Sequence, residues 1–322
     1  MKQRKPRTVA SVADTAEAAA AAPTTIKIAG HDFVVAEPSP EHAFRVPPTR
    51  PYRFNDVLVK DLAVGIEEAM NIFLTGPTGC GKTSVIVALA ALLRRPLIRF
   101  NLDGETRVTH LRGQQVPAAK DGVLTLAFSP GALAVAMREG YWVVFDEFDM
   151  GAPSVLAVLQ PVLEEDRRTL FVPETGETVT AHEGFRVFAT GNTVGYRASA
   201  RARHAGTNPL NAAVLDRFGL VIACDYPDRA EEIERVACNV PDCPAEFIDG
   251  VCRVAEELRK DDKFRADFST RRLVQWARLI PRFDFDVLRA SELAVVRKLE
   301  SSTDAKVARE VIRRVFGYEE NR

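Results

Sequence analysis

The sequence predicts an α/β fold: a mostly parallel sheet covered by helices on both faces, carrying two β-hairpin insertions and followed by a small all-helical domain. Three observations predict it. Short apolar runs alternate with helical patterns from Phe54 to Cys224. A glycine-rich loop, GPTGCGKT at residues 76–83, joins the first central apolar run to a helix. Beyond Asp225 the strand-like runs give way to a 3.6-residue periodicity.

Residues 1–50 read as an Ala- and Pro-rich tail, largely disordered, with an all-alanine run at 18–22. Two short β-like stretches, 26–28 and 33–35, flank Gly30 and His31 and predict a small hairpin or docking strand at its end. Pro47, Pro48 and Pro51 then make a stiff, extended entry to the folded chain. The α/β unit is expected over 51–225. Residues 56–70 are its first helix, and 71–75 its first strand, ending at the glycine loop. The helix at 84–93 (SVIVALAALL) is apolar nearly all round, as one lying on a buried sheet should be. Further strands are expected at 97–101, 141–145 (YWVVF), 185–190 (FRVFAT) and 220–224. One insertion lies between Asp103 and Gly131, with 122–128 as a hairpin arm. The other, between Arg167 and His182, turns at 173–176. Tyr226, Pro227 and Asp228 break the pattern. Over 226–322, helices are expected at 228–238, 245–259, 270–279, 284–299 and 305–315.

Lys plus Arg number 43 and Asp plus Glu 44, a net charge of −1, which gives no support to a broad nucleic-acid or membrane surface. No apolar run approaches the ~20 residues of a membrane helix. The basic start, Lys2 to Arg7, leads into alanines without the apolar core of a secretory leader. Five cysteines, one of them inside the glycine loop, fit a reduced, cytoplasmic setting. The spacing of Cys238, Cys243 and Cys252 matches no familiar zinc pattern, so these read as buried or incidental thiols.

The loop fits the phosphate-binding pattern G-x-x-x-x-G-K-[ST]. Gly76, Gly79 and Gly81 let a loop that also holds Pro77, Thr78 and Cys80 curl until its backbone N–H groups line a concavity at a helix start. Lys82 is placed to reach the β- and γ-phosphates, and the Thr83 hydroxyl to take a position on Mg²⁺. The run VVFDE supplies the complement. Asp146, at the tip of a buried strand, can hold Mg²⁺, and Glu147 can polarise a water for attack on the γ-phosphate. Asp149 reads as a cap or interface residue. Asn192, ending the next strand in ATGNT, would lie beside Glu147 and orient that water; a turn asparagine is the plainer reading. Arg217, in NAAVLDRF, is either a surface partner of Asp216 or an arginine given to a neighbouring subunit's phosphate. Arg271 can approach the phosphate from the helical domain, with Arg272 competing for the role. No residue chooses adenine over guanine.

Together GPTGCGKT, VVFDE, FATGNT, LDRF and the two hairpins resemble the AAA+ ATPases of the MoxR and dynein-related branch. Within it, RFNLDGETRVTHLRG, NTVG at 192–195 and HAGTNPLNAAVLDRF at 204–218 look most like the CobS-like ATPase subunits of aerobic cobaltochelatase. The resemblance implies a P-loop AAA+ core with a helical lid, binding ATP and Mg²⁺. It gives Lys82 and Thr83 as Walker A residues, Asp146 and Glu147 as Walker B, and Asn192 as sensor 1. Arg217 becomes an arginine finger acting in trans and Arg271 sensor 2. It also implies a homo-oligomer, a hexameric ring, and a partner with a von Willebrand A-type domain.

The expected function is therefore Mg²⁺-dependent ATP hydrolysis by a ring that remodels a partner. One alternative is a true cobaltochelatase subunit, serving cobalt insertion in cobalamin biosynthesis. The other is a nucleic-acid-associated motor using Arg197, Arg201 and Arg203, a loop that also reads as a solvated interface.

Overall fold

The computed structural model describes residues 24–103, 105–120, 123–192 and 212–318. Residues 1–23 of the expected 1–50 tail and the arginine loop at Arg197, Arg201 and Arg203 lie outside the described residues. The chain enters through an antiparallel hairpin, β1 (Thr25–Ile28) and β2 (His31–Val34). It docks: Ile28 and Phe33 are buried in one apolar cluster with Val59, Leu62, Leu89 and Leu93, and the Ala36 N–H donates to Leu93 O at 2.8 Å.

The central sheet has five parallel strands. They are β3 (Ile72–Thr75), β4 (Leu97–Asn101), β7 (Trp142–Asp146), β10 (Arg186–Gly191) and β11 (Leu220–Ala223), in the spatial order β11-β3-β10-β7-β4. Period-two alternation sends Ile72, Leu74, Trp142, Val144 and Phe188 to one face, and Phe73, Val143, Phe145, Val187 and Ala189 to the other. Both faces are covered, which is why these strands read as continuous apolar runs rather than alternating ones. Helices α1 (Asp56–Glu67) and α2 (Lys82–Leu92) cover the first face. The second face packs on α4 (Ala132–Glu139), which follows the short α3 (Val108–Arg112), and on α5 (Pro153–Leu159).

Both insertions are hairpins. The first pairs β5 (Gly113–Lys120) with β6 (Val123–Pro130), and exposes Leu124 and Leu126; Gly122 of the expected arm lies outside the described residues. The second pairs β8 (Thr169–Val172) with β9 (Glu177–Thr180) around Gly176, whose φ of 69° suits glycine. Its root is fixed by Asn71, fully buried at the start of β3. The Asn71 N–H donates to Glu165 Oε1 at 2.6 Å, and its side-chain amide donates to Leu163 O at 2.7 Å and Arg217 O at 2.8 Å.

The chain from Asp228 onward is helical, with helices Arg229–Asn239, Ala245–Lys260, Thr270–Leu279, Val287–Ala294 and Ser302–Val315 around their own apolar core. Side chains of Asp228, Ser269, Asp286 and Ser301 cap four of them. The single helix expected at 284–299 is broken. Asp284 and Phe285 take φ of 50° and 64°, a left-handed corner that cannot continue a helix, and the α-helix starts only after Asp286. Within this part, Glu232 is 1% exposed and accepts from Arg259 Nη1 and Nη2 at 2.8 and 2.9 Å and from Thr270 Oγ1 at 2.6 Å. Glu232→Ala would strand the Arg259 charge and is expected to cost about 3 kcal/mol. The check is a lowered melting temperature, with a smaller drop for Glu232→Gln.

Candidate functional site

The loop after β3 is shaped by its neighbours as much as by its glycines. Gly76 sits at φ 149°, and a Cβ there would lie 2.0 Å from Cys224 O, at the end of β11. Gly79, at φ 75°, faces the helical part: a Cβ would come within 2.5 Å of Ser269 Cβ. Gly81, at φ 110°, is the left-handed residue from which α2 starts. The first N–H groups of α2 have no intrahelical partner and the helix dipole is positive there, so the loop mouth suits an anion. Lys82 is 8% exposed, and its ammonium donates to Gly76 O at 2.7 Å, Pro77 O at 2.9 Å and Asn192 Oδ1 at 3.2 Å. Thr78 O accepts from the Tyr226 hydroxyl at 2.9 Å. Cys80 is buried, which pushes its thiol pKa up.

Asp146 ends β7 directly beside this loop. Its Oδ1 accepts from Thr83 Oγ1 at 2.6 Å and Thr190 Oγ1 at 2.9 Å, and its Oδ2 from Arg99 Nε at 3.0 Å and Nη2 at 2.5 Å. A hydroxyl and a carboxylate, both hard oxygen donors, side by side at a phosphate loop are a donor set that fits Mg²⁺. The next residue, Glu147, turns out of the sheet at φ 56°, a strained conformation for a residue with a Cβ, and its side chain is exposed. Asn192 does not pair with Glu147. Its side chain meets Lys82, and its backbone N–H donates at 3.2 Å to Asp149 Oδ2. Asp149, expected as a cap or interface residue, is instead fully buried and ties β7 to β10.

Three arginines stand further out. Arg217 is held at the opposite end of β3 from the loop, its carbonyl on the Asn71 side chain. Its guanidinium pairs not with Asp216 but with Glu164, Nε to Oε1 at 2.7 Å, and also donates to Ala213 O. Arg271 is exposed at the start of the helix Thr270–Leu279, while Arg272 has its Nη1 buried without a hydrogen-bond partner among the described residues.

Apart from Cys80, which belongs to the expected loop, the other residues at the site are given no role by their sequence. Arg99 is a charge in the middle of an apolar strand, a signal present in LIRFN. Tyr52, Asn55, Cys80, Cys224 and Arg235 line a cavity of about 330 Å³ beside the loop, within the usual size range of ligand pockets. Burial raises the Tyr52 hydroxyl to about 12 and the Cys224 thiol to about 12, so both stay protonated at neutral pH. Tyr226 also carries the Arg259 guanidinium over its ring at 3.9 Å, which joins the loop to the Glu232 network. Apart from the charge at Arg99, nothing in the local sequence marks these contacts, since each partner is distant along the chain.

Residues 71–218 match the family described as AAA domain (dynein-related subfamily), and residues 233–317 match that described as CbbQ/NirQ/NorQ C-terminal. The aerobic cobaltochelatase subunit CobS of Sinorhizobium sp is 31% identical over 276 residues, which cover 83% of this chain and 82% of that one. Midasin of Dictyostelium discoideum is 34% identical over 188 residues, 58% of this chain but 3% of midasin. Among solved structures, a point mutant of Thermotoga maritima RuvB shares the fold with a TM-score of 0.52 at 14% identity, covering 84% of this chain and 86% of that one. Among the described residues, no helix is long and apolar enough to cross a membrane.

Proposed function

The chain belongs to the dynein-related AAA+ ATPases, in their MoxR and CobS-like branch, and from that premise we propose that it is a Mg²⁺-dependent ring ATPase that remodels a partner protein or complex. The observation that carries the proposal is the meeting of Lys82, Thr83, Asp146 and Asn192 at the mouth of the glycine loop, with Arg217 held at the far end of β3.

In this reading the loop from Gly76 to Gly81 and the start of α2 hold the phosphates, with Lys82 against the β and γ groups. The nucleoside lies in the cavity beside Tyr52. Thr83 and Asp146 hold Mg²⁺, which supplies neutralisation of the charge that develops on the transferring phosphoryl group. Glu147 takes the proton of the attacking water. Asn192, through Lys82, holds the site's outer edge. Residues 226–322 act as a lid on the 51–225 unit. It brings Arg271 or Arg272 toward the γ-phosphate, and the burial of the Arg272 Nη1 favours Arg272 as the partner of an incoming anion.

Arg217 is out of reach of its own loop, so it serves the site of the next subunit, with Glu164 parking it between contacts. That requires a closed homo-oligomer, which we take to be a hexamer. Arg217→Ala alone is expected to lower phosphate release by about 10³-fold. Mixing Arg217→Ala with Lys82→Ala subunits should restore part of it, because some interfaces then combine an intact loop with an intact arginine. Absence of rescue at every mixing ratio would overturn action in trans.

The two hairpins, with Leu124 and Leu126 exposed on the first, are the parts we expect to carry motion to a client, for which a von Willebrand A-type partner is the best candidate. Likeness to CobS along most of its length favours a second reading, an ATPase subunit of an aerobic cobaltochelatase. It predicts ATP-dependent cobalt insertion when this chain replaces CobS among that enzyme's other subunits.

A further inference from the structure

The Asp146 carboxylate is fully committed to donors of its own chain. Thr83 and Thr190 hydroxyls occupy Oδ1 at 2.6 and 2.9 Å, and Arg99 occupies Oδ2 with Nε at 3.0 Å and Nη2 at 2.5 Å. A carboxylate has about four lone-pair positions, and these donors use them. The two sides differ in kind. A hydroxyl that donates to Oδ1 keeps lone pairs of its own, so Thr83 can donate to Asp146 and ligate a cation at once. A guanidinium has no lone pair and carries a full positive charge, so it cannot share Oδ2 with a metal ion or with a water on that ion.

Their surroundings differ too. The Asp146 side chain is 9% exposed and the Arg99 side chain 55%. Arg99 lies on β4, the edge strand of the sheet, in register with Val144, two residues before Asn101 meets Asp146. It therefore reaches in from the solvent side and can rotate away without disturbing the core. While it stays, it spares a nearly buried carboxylate the cost of an uncompensated charge.

We propose that Arg99 is the resident cation of the Mg²⁺ site: its guanidinium neutralises Asp146 before metal arrives and must leave Oδ2 when Mg²⁺ binds. Metal loading is then an exchange of one cation for another, and Arg99 is a positioning residue that sets the metal affinity from outside the ligand set. This rests on Thr83 and Asp146 being the Mg²⁺ residues.

The test uses Mn²⁺ as probe on the full-length chain with saturating ADP, free Mn²⁺ being read by electron paramagnetic resonance. Arg99→Ala and Arg99→Gln are expected to bind Mn²⁺ about 5- to 150-fold more tightly than wild type, the range of typical coupling between sites. Arg99→Lys should return toward wild type. Affinity for a fluorescent ADP analogue in EDTA should change less than about twofold, since the competition acts on the metal alone. In an Asp146→Asn background, Arg99→Ala should leave Mn²⁺ affinity unchanged.

Equal or weaker Mn²⁺ binding by Arg99→Ala and Arg99→Gln, with ADP binding in EDTA intact, would overturn the exchange and leave the nucleotide site standing. Failure of the wild-type chain to bind the ADP analogue at all would overturn both. The glutamine variant keeps a donor toward Asp146 and so guards against a folding defect in the alanine variant.

Discussion

Glu147→Gln is expected to bind ATP as wild type does and to lose phosphate release by about 10²- to 10⁴-fold, the usual worth of a positioned general base. The substitution keeps shape and removes only the proton-accepting charge. Glu147 is exposed and stands at φ 56°, one residue past the buried tip of β7. No hydrogen bond or ion pair holds its side chain among the described residues, so packing and stability should be unchanged. The loss should fall on turnover, with nucleotide affinity kept. Steady-state phosphate release and equilibrium binding of a fluorescent ATP analogue separate the two. Unchanged turnover would take the role of base away from Glu147.

Lys82→Ala should act one step earlier. The residue is 8% exposed and its ammonium already points across the loop mouth, held by Gly76 O, Pro77 O and Asn192 Oδ1. Charge-assisted hydrogen bonds are worth about 1.5–3 kcal/mol each, so losing those to two phosphates should weaken ATP binding by about 10²-fold or more. Because the side chain's present partners are two carbonyls and an amide oxygen, its removal also frees acceptors that faced a cation, and the loop should loosen locally. Calorimetric titration with ATP, beside a thermal melt, checks this. ATP affinity within about threefold of wild type in a folded variant would contradict the phosphate-loop reading, which requires the larger loss.

The sheet is legible in the sequence because it is buried on both sides. YWVVF and FRVFAT carry no polar face, and only a central parallel strand tolerates that. Lys82, Thr83 and Asp146 are legible because a phosphate loop and a strand-end carboxylate restrict residue type at fixed spacing. Helix α4 is not, although Leu133, Ala134, Ala136 and Met137 are all buried, because its alanine-rich sequence directly follows a stretch that reads as insertion. The extended helix expected at 284–299 gives way at Asp284 and Phe285, where a backbone corner overrides an apolar periodicity that continues through it. Arg99, Tyr52 and Tyr226 escape for a common reason: each is placed by neighbours that only the tertiary fold brings near. Asn192 has the right neighbourhood and the wrong neighbour, since strand order places it near Glu147 but its side chain turns to Lys82.

Tyr226 holds the phosphate loop by one end and the Arg259 network by the other. Loop and helical part are thus two sites on one thermodynamic cycle, and the coupling must be symmetric. Whatever factor nucleotide adds to the stability of the closed arrangement, any change that favours closure must return to nucleotide affinity. A client that pulls the helical part away would therefore expel nucleotide, and a client that clamps it would retain nucleotide. In the ring proposed above, load on the assembly would thereby become part of its nucleotide binding constant.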